Sequence, residues 1–201
     1  MAAWAVGAVV ASASGAAAQD ALETRNTLTV SAHVTDYANL SPKQLATAET
    51  QATAAFRAAG LDLVWSLAPF APPASPAPDS RSTHVRVVIV PREMAEKKCR
   101  AEGLAAGVMG VAISGATEAR GRIAYIFYDR IERVALSLRT PVQRGLGHVL
   151  AHEIGHLLIG ANSHADQGLM RPNWDPRESR PQTFTASQVQ TITHRFTATA
   201  N

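Results

Sequence analysis

Two histidines separated by three residues carry the clearest chemical signal in the sequence. His152 and His156 lie in the apolar run Leu150-Ala-His-Glu-Ile-Gly-His-Leu-Leu-Ile159, which predicts a helix. Residues four apart share one helical face, so both imidazoles can reach a single ion. Glu153 follows the first histidine, where it can contact a water molecule on that ion without being a ligand. The pattern is typical of a catalytic zinc site with Glu153 as general base.

The residues that follow the helix predict a third ligand. Glycine is common just past a helix end, where it lets the chain turn sharply. A turn at Gly160 would end the helix one turn after His156 and return His164 to the metal as a third nitrogen ligand. Three histidines would leave the fourth tetrahedral position of Zn²⁺ to water, whereas structural sites are normally closed by four protein ligands. The single cysteine, Cys99, cannot build a thiolate-rich site of that kind.

Together these residues resemble the signature of the metzincin metallopeptidases, and of the matrixins in particular. The signature reads HExxHxxGxxH and is followed by a methionine turn, whereas this chain reads HExxHxxxGxxxH, with its glycine one residue late and its third histidine two residues late. A short loop then leads to a Leu-Met-x-Pro segment, which looks matrixin-like. The residues that carry the resemblance are His152, Glu153, His156, Gly160, His164 and Met170.

The resemblance implies an α+β catalytic domain with a twisted mixed β-sheet, an active-site helix, a Met-turn and a C-terminal helix. It implies hydrolysis of a peptide or protein substrate by zinc-activated water. Met170 would pack beneath the ligands as a hydrophobic floor. A strand over residues 122–128 would form the upper edge of the cleft and pair with an extended peptide.

Several alternatives stay open from the sequence. Some metzincins use an aspartate as the loop ligand, which would be Asp166, and a gluzincin arrangement would use Glu178 from a later segment. The chain could also be a zinc-binding or interaction protein with little turnover, or an enzyme acting on non-peptide amides. His148 lies one turn before the first ligand and is expected to line the cleft or to be exposed, while Cys99 is expected to be a free thiol.

Length and charge restrict the class of protein. A chain of 201 residues fits one domain, here residues 19–201, and we expect it to be a monomer. The net charge of +3 comes from dispersed lysines and arginines, which disfavours a nucleic-acid partner. Residues 1–18 are apolar, small and uncharged, and predict a signal peptide rather than a stable membrane anchor. Secretion or a periplasmic location follows from that prediction.

Periodicity and capping residues predict the elements that would hold the site. A helix should begin after the cap residue Ser41 and stop at Gly60, and the last helix should begin after the cap residue Thr185. Residues 103–121, rich in glycine and alanine, are expected to be a loop. Strands are predicted over residues 27–34, 61–67, 83–90 and 122–128, and helices over residues 93–102, 131–138, 141–159 and 185–196.

Overall fold

The computed structural model describes residues 27–68, 81–115, 122–161, 163–178, 180 and 182–198. The expected signal peptide, residues 1–18, and the proline-rich segment 69–79 lie outside these residues.

The described chain forms five strands and five helices, and is therefore α+β as the sequence predicts. The strands are β1 (Leu28–Asp36), β2 (Leu61–Ser66), β3 (Ser82–Val90), β4 (Gly110–Ser114) and β5 (Arg122–Phe127). The helices are α1 (Pro42–Arg57), α2 (Arg92–Glu102), α3 (Tyr128–Leu138), α4 (Val142–Ile159) and α5 (Ala186–Ala198).

Two predicted caps form in full. The Ser41 hydroxyl accepts the N–H of Gln44, and the Gln44 side chain accepts the N–H of Ser41. Thr185 and Gln188 make the same reciprocal pair at the start of α5. Each pair satisfies two backbone donors that a helix start leaves without partners.

The strands form one mixed sheet in the order β2-β1-β3-β5-β4. The strands β2, β1, β3 and β5 are parallel to one another, and β4 runs antiparallel to β5. The expectation of a loop over residues 103–121 is therefore wrong, since that segment contains β4. The expectation that residues 122–128 pair with an extended peptide is also wrong, because this strand already has a neighbour on each side. β5 lies between β3 and β4, its last residue is Phe127, and Tyr128 already begins α3.

Alternating side chains of β3 contribute to a hydrophobic cluster on each face of the sheet. Val85, Val87 and Ile89 point to one face and join the main cluster with α1, α4 and α5. Val88 and Val90 point to the other face, where they pack against α2 and the side chain of Cys99. A β-strand turns successive side chains to opposite faces, so an apolar run of this kind is expected where both faces are covered.

Helix α4 lies in the centre of the main cluster and carries the predicted site. Most of its side chains are buried, and it contacts α1, α3, α5 and the strands β3, β4 and β5. Within the described residues, no helix combines the length and the apolar character that crossing a membrane would need.

Candidate metal centre

Three imidazole nitrogens meet at the C-terminal end of α4. The Nε2 atom of His156 lies 3.1 Å from Nε2 of His152 and 3.1 Å from Nε2 of His164. The remaining pair, His152 and His164, is 3.4 Å apart. Among the described residues, these three form the one group of three or more potential ligands close enough to hold a single metal ion. The structure thus brings together the three histidines that the sequence predicts as ligands.

Hydrogen bonds on the far side of two rings orient them. Nδ1 of His152 donates to the backbone carbonyl of Leu169 at 2.8 Å, because a carbonyl can only accept. A neutral imidazole carries one N–H, so Nε2 of His152 presents a lone pair to the other two rings. Nδ1 of His156 lies 2.9 Å from the hydroxyl of Ser163.

The geometry and the protonation of this cluster suit a zinc ion. Zinc–nitrogen bonds of about 2.0–2.1 Å in tetrahedral geometry place ligand nitrogens about 3.3–3.4 Å apart, close to the spacing observed. Burial lowers the pKa of His152 and lowers that of His156 to about 4. Both rings are therefore neutral at pH 7, the form that binds metal.

The turn that returns His164 to the helix is made at Gly160. Helix α4 ends at Ile159, and Gly160 follows with φ 118° and ψ 174°. The expected sharp turn is observed, and its positive φ combined with this ψ places Gly160 in an extended region open almost only to glycine rather than in the left-handed helical region. Arg195 of α5 donates to the carbonyls of Leu158 and Ile159 and so covers the helix end.

Substituting Gly160 should weaken metal binding although the residue is no ligand. In Gly160→Ala the new Cβ would lie 2.7 Å from Nη1 of Arg195, and the backbone would be strained by about 1–3 kcal/mol. We expect a lower zinc affinity in a competition titration. Gly60→Ala is the matched control, because Gly60 also has a positive φ, 70°, but has open space around it. It should lose thermal stability and keep its zinc affinity. Equal zinc affinities in wild type and Gly160→Ala would show that the turn does not position His164.

Glu153 is the one buried carboxylate among the described residues. Its side chain leaves the helix one residue after the first ligand and is only 7% exposed. Burial raises its pKa to about 8, because a charge is poorly solvated away from water. A cation bound by the adjacent histidines would favour the ionised form and lower that pKa. The carboxyl group and the imidazole cluster therefore complement each other.

The edge strand β4 begins against this carboxyl group. A Cβ atom built on Gly110 would lie 2.6 Å from Cγ and 2.8 Å from Oε1 of Glu153. No side chain fits there unless Glu153 moves. The close approach explains why glycine begins this strand, and it puts the start of β4 against the carboxyl group of Glu153.

If the carboxyl group of Glu153 takes part in hydrolysis, Gly110→Ala should displace it and slow the reaction while zinc stays bound. A misplacement of about 1 Å can cost on the order of 100-fold in rate. The measurement is hydrolysis by protein whose zinc content has been verified. Gly107→Ala is the control, since a Cβ there meets nothing within 4 Å. If Gly110→Ala turned over substrate at the wild-type rate, the position of Glu153 would not matter to the reaction.

Met170 lies in the loop that supports the ligand cluster. It is fully buried, and its Sδ would lie 2.6 Å from a Cβ atom built on Gly155. Gly155 directly precedes the second ligand, His156, on α4. The preceding residue, Leu169, supplies the carbonyl that orients His152. The loop thus contacts α4 through both a side chain and a backbone oxygen at the level of the ligands.

His148 lies near the cluster but outside the ligand group. Its ring stacks on that of Trp174, with centroids 4.0 Å apart and planes 10° apart, and its centroid is 6.0 Å from that of His152. Burial, with the nearby His152 and Arg171, lowers the pKa of His148 to about 3. The His148 side chain is thus neutral and half-buried.

Neither of the two alternative third ligands belongs to the cluster. Asp166 lines an open cavity of about 500 Å³, next to Arg171 and Glu178. Glu178 pairs with Arg171 and also accepts a hydrogen bond from Gln182. Cys99 is buried under the opposite face of the sheet and forms no disulfide, as expected.

Sequence reasoning missed the residues that support the site from outside the motif. Ser163, Gly110 and the carbonyl of Leu169 act through contacts that exist only after the chain has folded. The unusual spacing after Gly160 was the one signal pointing towards Ser163.

Comparison with models of known protein families finds no match to this chain, and comparison with curated protein sequences finds none either.

Proposed function

We propose that this protein is a zinc-dependent peptidase in which His152, His156 and His164 hold the metal and Glu153 is the general base. The observation that carries the proposal is the convergence of three Nε2 atoms within 3.1–3.4 Å, with a buried carboxyl group on the residue that follows the first ligand. The motif's resemblance to matrixin-like metzincins supports the same reaction. A secreted or periplasmic location remains part of the proposal, on the strength of residues 1–18.

The proposed chemistry divides between the metal and this chain's own side chains. When bound, zinc would acidify a water molecule and polarise the carbonyl of the scissile bond. The carboxylate of Glu153 would accept a proton from the attacking water and pass it to the departing amine nitrogen. Burial suits Glu153 to that task, since a carboxyl group with a raised pKa holds a proton between the two steps.

The sheet offers a place for an extended substrate. β4 pairs on one side with β5 and, among the described strands, with no other, so its outer edge has unpaired backbone groups. Its first residue lies against Glu153. An extended peptide added to this edge would run past the general base, with its backbone bound by hydrogen bonds and its side chains little constrained. A peptide or protein substrate fits this arrangement.

Two other functions make different use of the same residues. A zinc-binding protein without turnover would need the three histidines, but it gives no reason to bury a carboxyl group beside them at a cost in solvation. A gluzincin-type hydrolase would need Glu178 as a ligand, and Glu178 is engaged by Arg171 and Gln182. Neither accounts for as much of the site as the peptidase.

The proposal is tested by incubating the purified, zinc-loaded protein with a mixture of unstructured proteins. Cleavage should stop when a chelator removes the metal and return when zinc is added back. Cleavage that persists without metal would contradict the zinc mechanism. Stable zinc binding with no cleavage of any protein in the mixture would favour the binding protein.

A further inference from the structure

The hydroxyl of Ser163 has a position that the ligand motif does not specify. It lies 2.9 Å from Nδ1 of His156, and Ser163 immediately precedes His164 along the chain. One side-chain contact therefore joins the second ligand, on α4, to the segment that delivers the third.

The two oriented ligands differ in the kind of partner they have. His152 is held by the backbone carbonyl of Leu169, whereas His156 is held by a side chain. A carbonyl allows only one imidazole tautomer, since it can only accept, while a hydroxyl can accept or donate. The orientation of His156 therefore depends on the residue type at position 163.

The protonation that a metal requires decides the direction of this hydrogen bond. Nε2 of His156 faces the other two ligand nitrogens, so it must be without a proton to bind an ion. The single N–H of the neutral ring is then on Nδ1, and the Ser163 oxygen accepts it. Partners of this kind fix the ring and make it a better ligand.

We propose that Ser163 is a positioning residue of the metal centre. Its Oγ accepts the Nδ1–H of His156, which selects the tautomer with a bare Nε2 and ties the His164 segment to α4. The longer spacing between Gly160 and His164 then has a function, since it supplies a dedicated partner for the second ligand. The inference rests on the proposed metal site and adds a determinant of its affinity.

Three variants of the full chain test this role. Ser163→Ala removes the acceptor, Ser163→Thr keeps a hydroxyl, and Ser137→Ala is the matched control, because the Ser137 hydroxyl bonds only the nearby carbonyl of Val134 on α3. Zinc affinity is measured by competition with a chromophoric chelator. We expect Ser163→Ala to bind zinc about 10- to 100-fold more weakly, as is usual when such a partner is lost. Ser163→Thr and the control should stay close to wild type.

A second readout separates orientation from general loss of structure. Nitrogen-15 NMR of the zinc-loaded protein should show a hydrogen-bonded Nδ1–H on His156, and in Ser163→Ala this proton should exchange faster with water. The melting temperature of the metal-free variants should match that of metal-free wild type.

The outcomes separate this inference from the proposed function. Unchanged zinc affinity and an unchanged Nδ1–H signal in Ser163→Ala would overturn the role of Ser163 and leave the three-histidine site standing. A weakened affinity that Ser163→Thr fails to restore would also overturn it, because the hydroxyl would then not be what matters. Wild-type protein that binds no zinc would overturn both proposals.

Discussion

Glu153→Gln should retain its zinc and lose about 100- to 10,000-fold in peptidase turnover, the usual effect of removing a general base. Glutamine has nearly the same shape as glutamate but cannot accept the proton of the attacking water. Because Glu153 is not among the three converging ligands, the metal content should stay at the wild-type value. The measurement is the turnover number of protein whose zinc content has been verified.

Glu132→Gln is the matched control for this substitution. Glu132 lies on α3, where its carboxylate contacts the hydroxyl of Tyr128 away from the ligand cluster. It should keep wild-type turnover. Wild-type turnover in Glu153→Gln would mean that another group takes the proton, and loss of zinc from that variant would mean that Glu153 holds the metal.

His156→Ala should cause the largest loss of metal affinity of any single substitution. Its Nε2 is the atom closest to both other ligand nitrogens, so its removal leaves two histidines 3.4 Å apart with no third nitrogen between them. We expect zinc binding to weaken by more than the roughly 10- to 100-fold that the loss of an orienting partner costs. Competition titration measures the change.

Two substitutions test the competing ligands by the same titration. Asp166→Ala and Glu178→Gln should bind zinc like wild type, because neither carboxylate belongs to the cluster. Zinc lost from Asp166→Ala but retained in His164→Ala would contradict the assignment of the third ligand.

The helix of the site and the helix caps, which depend on local interactions, are predicted from the sequence. The helix that carries His152 and His156 follows from an apolar run and a spacing of four residues, and its end follows from Gly160. The caps at Ser41 and Thr185 follow from the type of the cap residue itself, and in the structure the reciprocal partner of each lies three residues on. In each case, the interaction is made within one or two turns of the chain.

The elements that depend on contacts between segments far apart in the chain are not predicted from the sequence. β4 is only five residues long, Gly-Val-Ala-Ile-Ser, and it is a strand because it pairs with β5. Its glycine and alanine neighbours predict a loop, and with no strand expected there the pairing with an extended peptide falls to residues 122–128. Ser163 was missed for a similar reason, because its hydroxyl meets His156 only after the chain has turned at Gly160.

X-ray diffraction from zinc-soaked crystals, recorded on both sides of the zinc absorption edge, tests the central claim most directly. We predict one strong anomalous peak bonded to Nε2 of His152, His156 and His164 at about 2.0–2.1 Å, with the fourth position open to solvent. A peak bonded to Glu153, Asp166 or Glu178, or a site closed by a fourth protein ligand, would contradict the account.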